Sequence, residues 1–422
     1  MFKKVTLENG LRIITIPMAG VTTATILVMV DTGSNNETKE VNGISHFLEH
    51  MFFKGTQKRP IAKMIAEEVD NMGGYTNAFT SREHTGYYLK IPAHKINQAL
   101  DLISDIFSNS LLDQQEAEKE RGVILQEIKM ISDDPARHIG EVFESLLYGD
   151  QPAGWEIAGN EETLGNIHAQ NLQAYFASQY TVDNTFVVVA GNVNEEEVRG
   201  KVLKAFGDVR RGETRGRSEV LQDQKNPAVS VLYKKTDQTH FILGNRAFGV
   251  QDERRTPAWV LAHILGGSMA SRLLEELREK HGLAYHVQTS FDGYTNYGSF
   301  STYAGVEHGN FTRALLIIMN EYKKIREEKT SEQELSRAKE SLKGHLALSL
   351  ESSNAMAFYI GGEEVLTGRP MTPEEVFAKI GSVSAEDILV VSRQLLLKSS
   401  LNLAVIGPVE GKEEFAKLLE SF

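Results

Sequence analysis

Asn184-Thr-Phe-Val-Val-Val-Ala-Gly191-Asn-Val193 recurs in form as Ser400-Leu-Asn-Leu-Ala-Val-Ile-Gly407-Pro-Val409, an apolar run closed by Gly-x-Val, at an offset of 407 − 191 = 216 residues. Short apolar runs rich in Val and Ile read as strands buried on both faces. Each is followed by a helix that starts acidic, Asn194 to Phe206 in one place and Glu410 to Leu419 in the other. The strand Thr85–Ile91 answers to Ser301–Val306, again 301 − 85 = 216 apart, and the helix holding Gln98-Ala99-Leu100 answers to Arg313-Ala314-Leu315. A near-constant shift over several elements is the mark of duplication, and one long period seen twice means paired domains, not a solenoid. Strands such as Thr25–Val30 alternate with helices such as 97–109 in both halves. The expected class is α/β of the α+β sandwich type: two homologous domains, each an antiparallel-rich sheet with helices packed on it.

The polar stretch from about Asp208 to Asn226 marks the seam. It places an N-terminal domain at 1–210, a linker at 211–226 and a C-terminal domain at 227–422. The linker's Arg210-Arg-Gly-Glu-Thr-Arg-Gly-Arg217 has no interleaved aromatics, so it reads as a solvated tether and not as a nucleic-acid patch. Gly266-Gly267 and Gly361-Gly362 read as loop glycines, too short and isolated to cradle phosphate.

Chemistry concentrates in His46-Phe-Leu-Glu49-His50. With His46 at zero on a helical wheel, His50 falls at roughly 40° and Glu49 at roughly 300°. The two imidazoles share one face and can share a metal, while the carboxylate beside them can activate a metal-bound water. Asn42 or Ser45 is the expected helix cap. Catalytic zinc needs a third ligand. The downstream helix from Glu116 to Met130 offers Glu120 and Glu127, two turns apart on one face, with Glu116 and Glu118 as alternatives. One carboxylate can bind while another steadies the ligands from behind.

Together, Asn9-Gly10-Leu11-Arg12, Gly43-Ile-Ser-His-Phe-Leu-Glu-His-Met-Phe-Phe-Lys-Gly-Thr56 and Glu120-Arg-Gly-Val-Ile-Leu-Gln-Glu127 resemble the M16 (pitrilysin, or inverzincin) zinc metallopeptidases. The likeness covers essentially the whole chain and is greatest to the branch of the mitochondrial processing peptidase β-subunit and its bacterial members. It implies one Zn2+ per chain on His46, His50 and Glu127, with Glu49 as general base and Glu120 orienting the site. It further implies that Arg278 and Tyr285, in Arg278-Glu-Lys-His-Gly-Leu-Ala-Tyr285, reach the site from the C-terminal half. Asn77-Ala78 resembles the strand that pairs with extended substrate. Family members enclose a chamber of four such domains. A homodimer is therefore the expected assembly, with a heterodimer with an inactive relative second. The implied activity is endopeptidase cleavage of peptides or unfolded segments. A non-catalytic structural or peptide-binding subunit of the same fold is the alternative.

Composition narrows the field. At 422 residues the chain exceeds one hydrophobic core. A net charge of −12 argues against nucleic acid as a partner. Cysteine is absent, which removes disulfides, thiolate ligands and a Cys nucleophile. No apolar run spans a membrane and the N-terminus lacks a signal-like apolar core, so the expected location is cytoplasmic. His263 stands in the second half where the zinc motif is not repeated and reads as a packed histidine. His84, beside the substrate strand, reads as structural or substrate-contacting.

Overall fold

The computed structural model describes residues 2–212, 214 and 216–422, so Glu213 and Arg215 of the expected linker lie outside the described residues. The chain forms two compact units. The first holds a six-stranded sheet of β1 (Lys3–Thr6), β2 (Arg12–Pro17), β3 (Thr23–Val30), β4 (Tyr75–Thr80), β5 (Thr85–Pro92) and β6 (Thr185–Gly191), in the order β1-β2-β6-β3-β5-β4. The second holds β7 (Ala228–Tyr233), β8 (Thr239–Ala247), β9 (Ala284–Gly293), β10 (Gly298–Val306) and β11 (Asn402–Gly407), in the order β7-β11-β8-β10-β9. In each sheet one pair is parallel, β2 with β6 and β7 with β11, and the other pairs are antiparallel. Strand for strand the topologies match apart from the added β1, as duplication requires. No helix among the described residues is long and apolar enough to cross a membrane.

Period-two alternation explains why the central strands are apolar throughout. In β3, Ala24, Ile26, Val28 and Val30 enter the core on one face, whereas Leu27 and Met29 enter the core on the other. β6 divides likewise, Val187 and Val189 against Phe186, Val188 and Ala190. Burial on both faces needs helices on both sides, and here the packing departs from the expected division at 210 and 227. The segment Lys129–Gly154 belongs to the second unit, and Leu348–Thr372 to the first. The reason lies in apolar stripes. The helix Ser353–Thr367 sets Met356, Ala357, Ile360 and Val365 on the outer face of the first sheet. The helix Pro135–Tyr148 sets Ile139, Phe143 and Leu147 against Ile242, Ala404 and Ile406 of the second. Each half of the chain thus lends a helix to the sheet of the other half. Glu364, its side chain fully buried, locks the first of these helices by accepting from Lys4 and Arg12 at 2.8 Å each.

The same packing corrects the reading of two glycines. Gly361-Gly362 lies inside the helix Ser353–Thr367, where a Cβ on Gly361 would sit 3.2 Å from Leu27 Cδ2, so the missing side chain lets helix and sheet approach. Gly266 ends the helix Arg255–Gly266.

The His-x-x-Glu-His segment forms helix α1 (Ile44–Met51). Its N-cap is Gly43, at φ +97°, where any Cβ would meet the Ala158 carbonyl oxygen at 2.6 Å. Neither Asn42 nor Ser45 caps the helix. Glu37 does so from a distance: its carboxylate accepts from Gly43 N (2.7 Å), Ser45 N (2.8 Å) and Asn42 Nδ2 (2.9 Å). Burial pushes this carboxyl up to about 7 despite the three donors. Replacing Glu37 by Ala leaves the amides of Gly43 and Ser45 buried without an acceptor. The expected loss is about 2–3 kcal/mol of stability, read by urea unfolding. Unchanged stability would mean that α1 does not depend on this carboxylate.

Candidate metal centre

α1 presents His46, Glu49 and His50 as half-buried side chains, while Ile44, Phe47, Leu48 and Met51 pack into the core. The partner element is helix α2 (Gln114–Asp133). Its inner stripe is Ala117, Glu120 and Ile124, all buried, and Glu127 continues that stripe by one more turn. Arg121 pins α2 by donating to the carbonyls of Leu164 (2.9 Å) and Ile167 (2.6 Å).

Of these acidic residues, Glu127 is shown approaching both histidines. Glu127 Oε2 stands 3.4 Å from His50 Nε2 and 3.7 Å from His46 Nε2. His46, His50 and Glu127 form the one group of three metal-capable side chains found among the described residues, with ligand atoms all within 4.8 Å of one another. Two ligands about 2.0–2.1 Å from a tetrahedral zinc lie roughly 3.3–3.4 Å apart, so this cluster fits zinc with little movement. Glu120 lies behind it: Oε1 meets His50 Nδ1 at 2.8 Å and Oε2 meets Lys54 Nζ at 2.6 Å. Glu116 and Glu118 are engaged elsewhere, with Lys119 and Arg121 respectively.

Electrostatics separate the two imidazoles. Burial, reinforced by the neighbouring His50, drives His46 down to about 4. Burial also lowers His50, but hydrogen bonds to Glu120 and Glu127 outweigh it and lift His50 to about 9. Burial raises Glu120, yet His50 and Lys54 hold it below the usual carboxylate range. His46 Nδ1 is buried with no hydrogen-bond partner among the described residues, so only His50 is oriented from behind.

Glu49 remains outside the trio. Burial raises its carboxyl above the usual value, opposed by the Thr80 hydroxyl, which donates to Oε2 at 2.5 Å. Thr80 ends β4, the strand of Asn77 and Ala78, so one side chain ties the acid to the sheet edge. Among the described residues β4 pairs with β5 alone, leaving its other side without a strand partner. Asn77 Oδ1 accepts from Ala78 N at 2.9 Å. His84, in the β4–β5 turn, meets Ser81 Oγ at 3.1 Å, and burial drives it down to about 4.

Arg278 and Tyr285 belong to the second unit. Arg278 sits on a π-helical turn (Glu275–Lys280) with its guanidinium 5.1 Å from the ring centre of Tyr285 on edge strand β9. Tyr285 is 81% exposed, so it is not a core aromatic. His263 is buried, and its Nε2 meets Ser341 Oγ at 2.9 Å.

The sequence reading missed Thr80, Glu37 and Lys54. Only Lys54 carried a local signal, its place four residues beyond His50.

Residues 12–161 match the family described as Insulinase (Peptidase family M16), and residues 166–342 match its Peptidase M16 inactive domain. The chain is 37% identical over 409 residues to an uncharacterized zinc protease, YmxG, of Bacillus subtilis, covering 97% of this chain and 98% of that one. It is 34% identical to an uncharacterized zinc protease of Streptomyces coelicolor, covering 97% and 90%. In fold it is similar to a protease from Helicobacter pylori, with a TM-score of 0.89 at 21% identity over 97% of this chain and 99% of that one. It is also similar to a chain of complex III2 from Candida albicans, with a TM-score of 0.86 at 17% identity over 99% of each.

The raised His50 pKa has a consequence for metal uptake. An imidazolium cannot ligate, so below about pH 9 zinc must displace the proton that Glu120 and Glu127 hold on His50. Apparent zinc affinity should rise about tenfold per pH unit toward pH 9 and level off above it. Chelator competition across pH 7–9 tests this, and a flat profile contradicts it.

Proposed function

This chain belongs to the M16 peptidase family, and from that membership and the geometry of its α1–α2 cluster we propose that it is a zinc-dependent endopeptidase acting on extended peptides or unfolded segments. The observation that carries the reading is the convergence of one ligand atom each from His46, His50 and Glu127, all within 4.8 Å of one another, beside an acid that is not one of the three.

His46, His50 and Glu127 would hold the metal. When bound, zinc supplies a Lewis acid that polarises the scissile carbonyl and brings the pKa of a water near 7. Glu49, its carboxyl already raised by burial, takes the proton of the attacking water and returns it to the leaving amine. Thr80 keeps that carboxylate aimed. Substrate lies along the free edge of β4 at Asn77-Ala78, where main-chain hydrogen bonds bind peptides of many sequences. Arg278 and the exposed Tyr285, which lie together on the second unit, are proposed as donors to the substrate carbonyl and its oxyanion. In the proposed assembly, two copies of the chain enclose a chamber that excludes folded proteins.

The fold also occurs in a complex III2 chain, so fold alone does not separate an enzyme from a structural subunit. The intact ligand trio with Glu49 beside it favours the enzyme.

A library of quenched peptides, assayed with and without a chelator, tests the activity. Glu49→Gln should retain zinc while kcat falls about 10²–10⁴-fold. His50→Ala should lose the metal. Robust cleavage by Glu49→Gln would remove Glu49 from the base role, and full zinc occupancy in His50→Ala would break the ligand assignment.

A further inference from the structure

Lys54 stands just past the end of α1, and its ammonium meets the Glu120 carboxylate, the same carboxylate that meets His50. Glu120 is 4% exposed, and both its oxygens are engaged, Oε2 by Lys54 Nζ at 2.6 Å and Oε1 by His50 Nδ1 at 2.8 Å. One buried carboxylate therefore couples the lysine to the imidazole. An exposed ion pair would contribute at most about 1 kcal/mol. A buried carboxylate that loses one of its two partners is a different case, because its charge is left only partly compensated.

The loop that carries Lys54 is built for a fixed position. Gly55 has φ +144°, and a Cβ there would lie 2.5 Å from the Pro60 carbonyl oxygen. Its own carbonyl accepts from Leu111 N at 3.0 Å, and Thr56 bridges to Ser110. Arg59, 6% exposed, spreads its guanidinium over Glu68, Asp101 and Asp105, and Thr56 donates to Asp105. This network fastens residues 54–60 to the helix Ile96–Asn109, which carries Asp101 and Asp105.

Resting on the zinc reading above, we propose that Lys54 is a positioning residue of the metal centre. Its ammonium holds and compensates the Glu120 carboxylate, so that the other oxygen keeps the Nδ1–H of His50 and turns Nε2 toward Glu127. A ligand imidazole anchored through its second nitrogen binds metal more tightly than a free one. The Arg59 network then acts as the footing of this relay, not as a separate device.

The test is zinc affinity of the full chain, measured by chelator competition. Lys54→Met should weaken zinc about 10–100-fold, and Lys54→Arg should restore most of it. In a Glu120→Gln background, Lys54→Met should change affinity little, because the carboxylate it serves is gone. If Lys54→Met fails to fold, Lys54→Gln carries the same comparison. Wild-type zinc affinity in the uncharged variant overturns the inference. So does an undiminished effect in the Glu120→Gln background, or a failure of Arg to rescue. Loss of zinc binding by the wild-type chain would instead defeat the metallopeptidase reading itself.

Discussion

Two imidazoles on one short helix and a carboxylate on another must stand within a few ångströms of each other if they are to share a metal, and here their ligand atoms lie within 4.8 Å of one another. Like-charged or desolvated groups do not gather spontaneously. Here Glu120 and Glu127 flank His50 at 2.8 and 3.4 Å and raise its pKa against the effect of burial. Each helix is fixed at its own anchor. Glu37 and the close contact of Gly43 with Ala158 set the start of α1, and Arg121 sets α2.

The two halves repeat one frame, and only the first carries the histidine pair and the glutamate that meets it. At the offset of 216, the positions of His46, His50 and Glu127 fall on Ala262, Gly266 and Lys343. A methyl, a hydrogen and a cation replace two imidazoles and a carboxylate. His263, one residue from the position that answers to His46, hydrogen-bonds Ser341 and is driven down to about 4 by burial and by His345 nearby. The second frame is free for other work, and its exposed Tyr285 under Arg278 is its most chemically suggestive feature.

Much of this was readable from the residues. The two sheets follow from apolar runs with turn signals between them, and α1 and α2 follow from three-and-four spacing. The zinc motif was legible because its two imidazoles and acid lie within five residues. The loop reading of Gly361-Gly362 failed because a glycine in a helix looks local but answers to the sheet packed against it. The cap of α1 was misread for a similar reason: Glu37 reaches it across a buried turn, and no short-range pattern marks such a reach.

Sequence alone determined what operates over one or two helical turns or one strand: the histidine pair, the acid beside it, the repeat of strands and helices in the two halves and the absence of cysteine chemistry. Only the tertiary structure decided which of four glutamates faces the histidines, which lysine stands behind them, and which sheet each borrowed helix covers. The physical reason is range. Periodicity records which side of an element is buried, but a partner seventy residues away along the chain is chosen by packing of whole surfaces, and no local pattern encodes that choice.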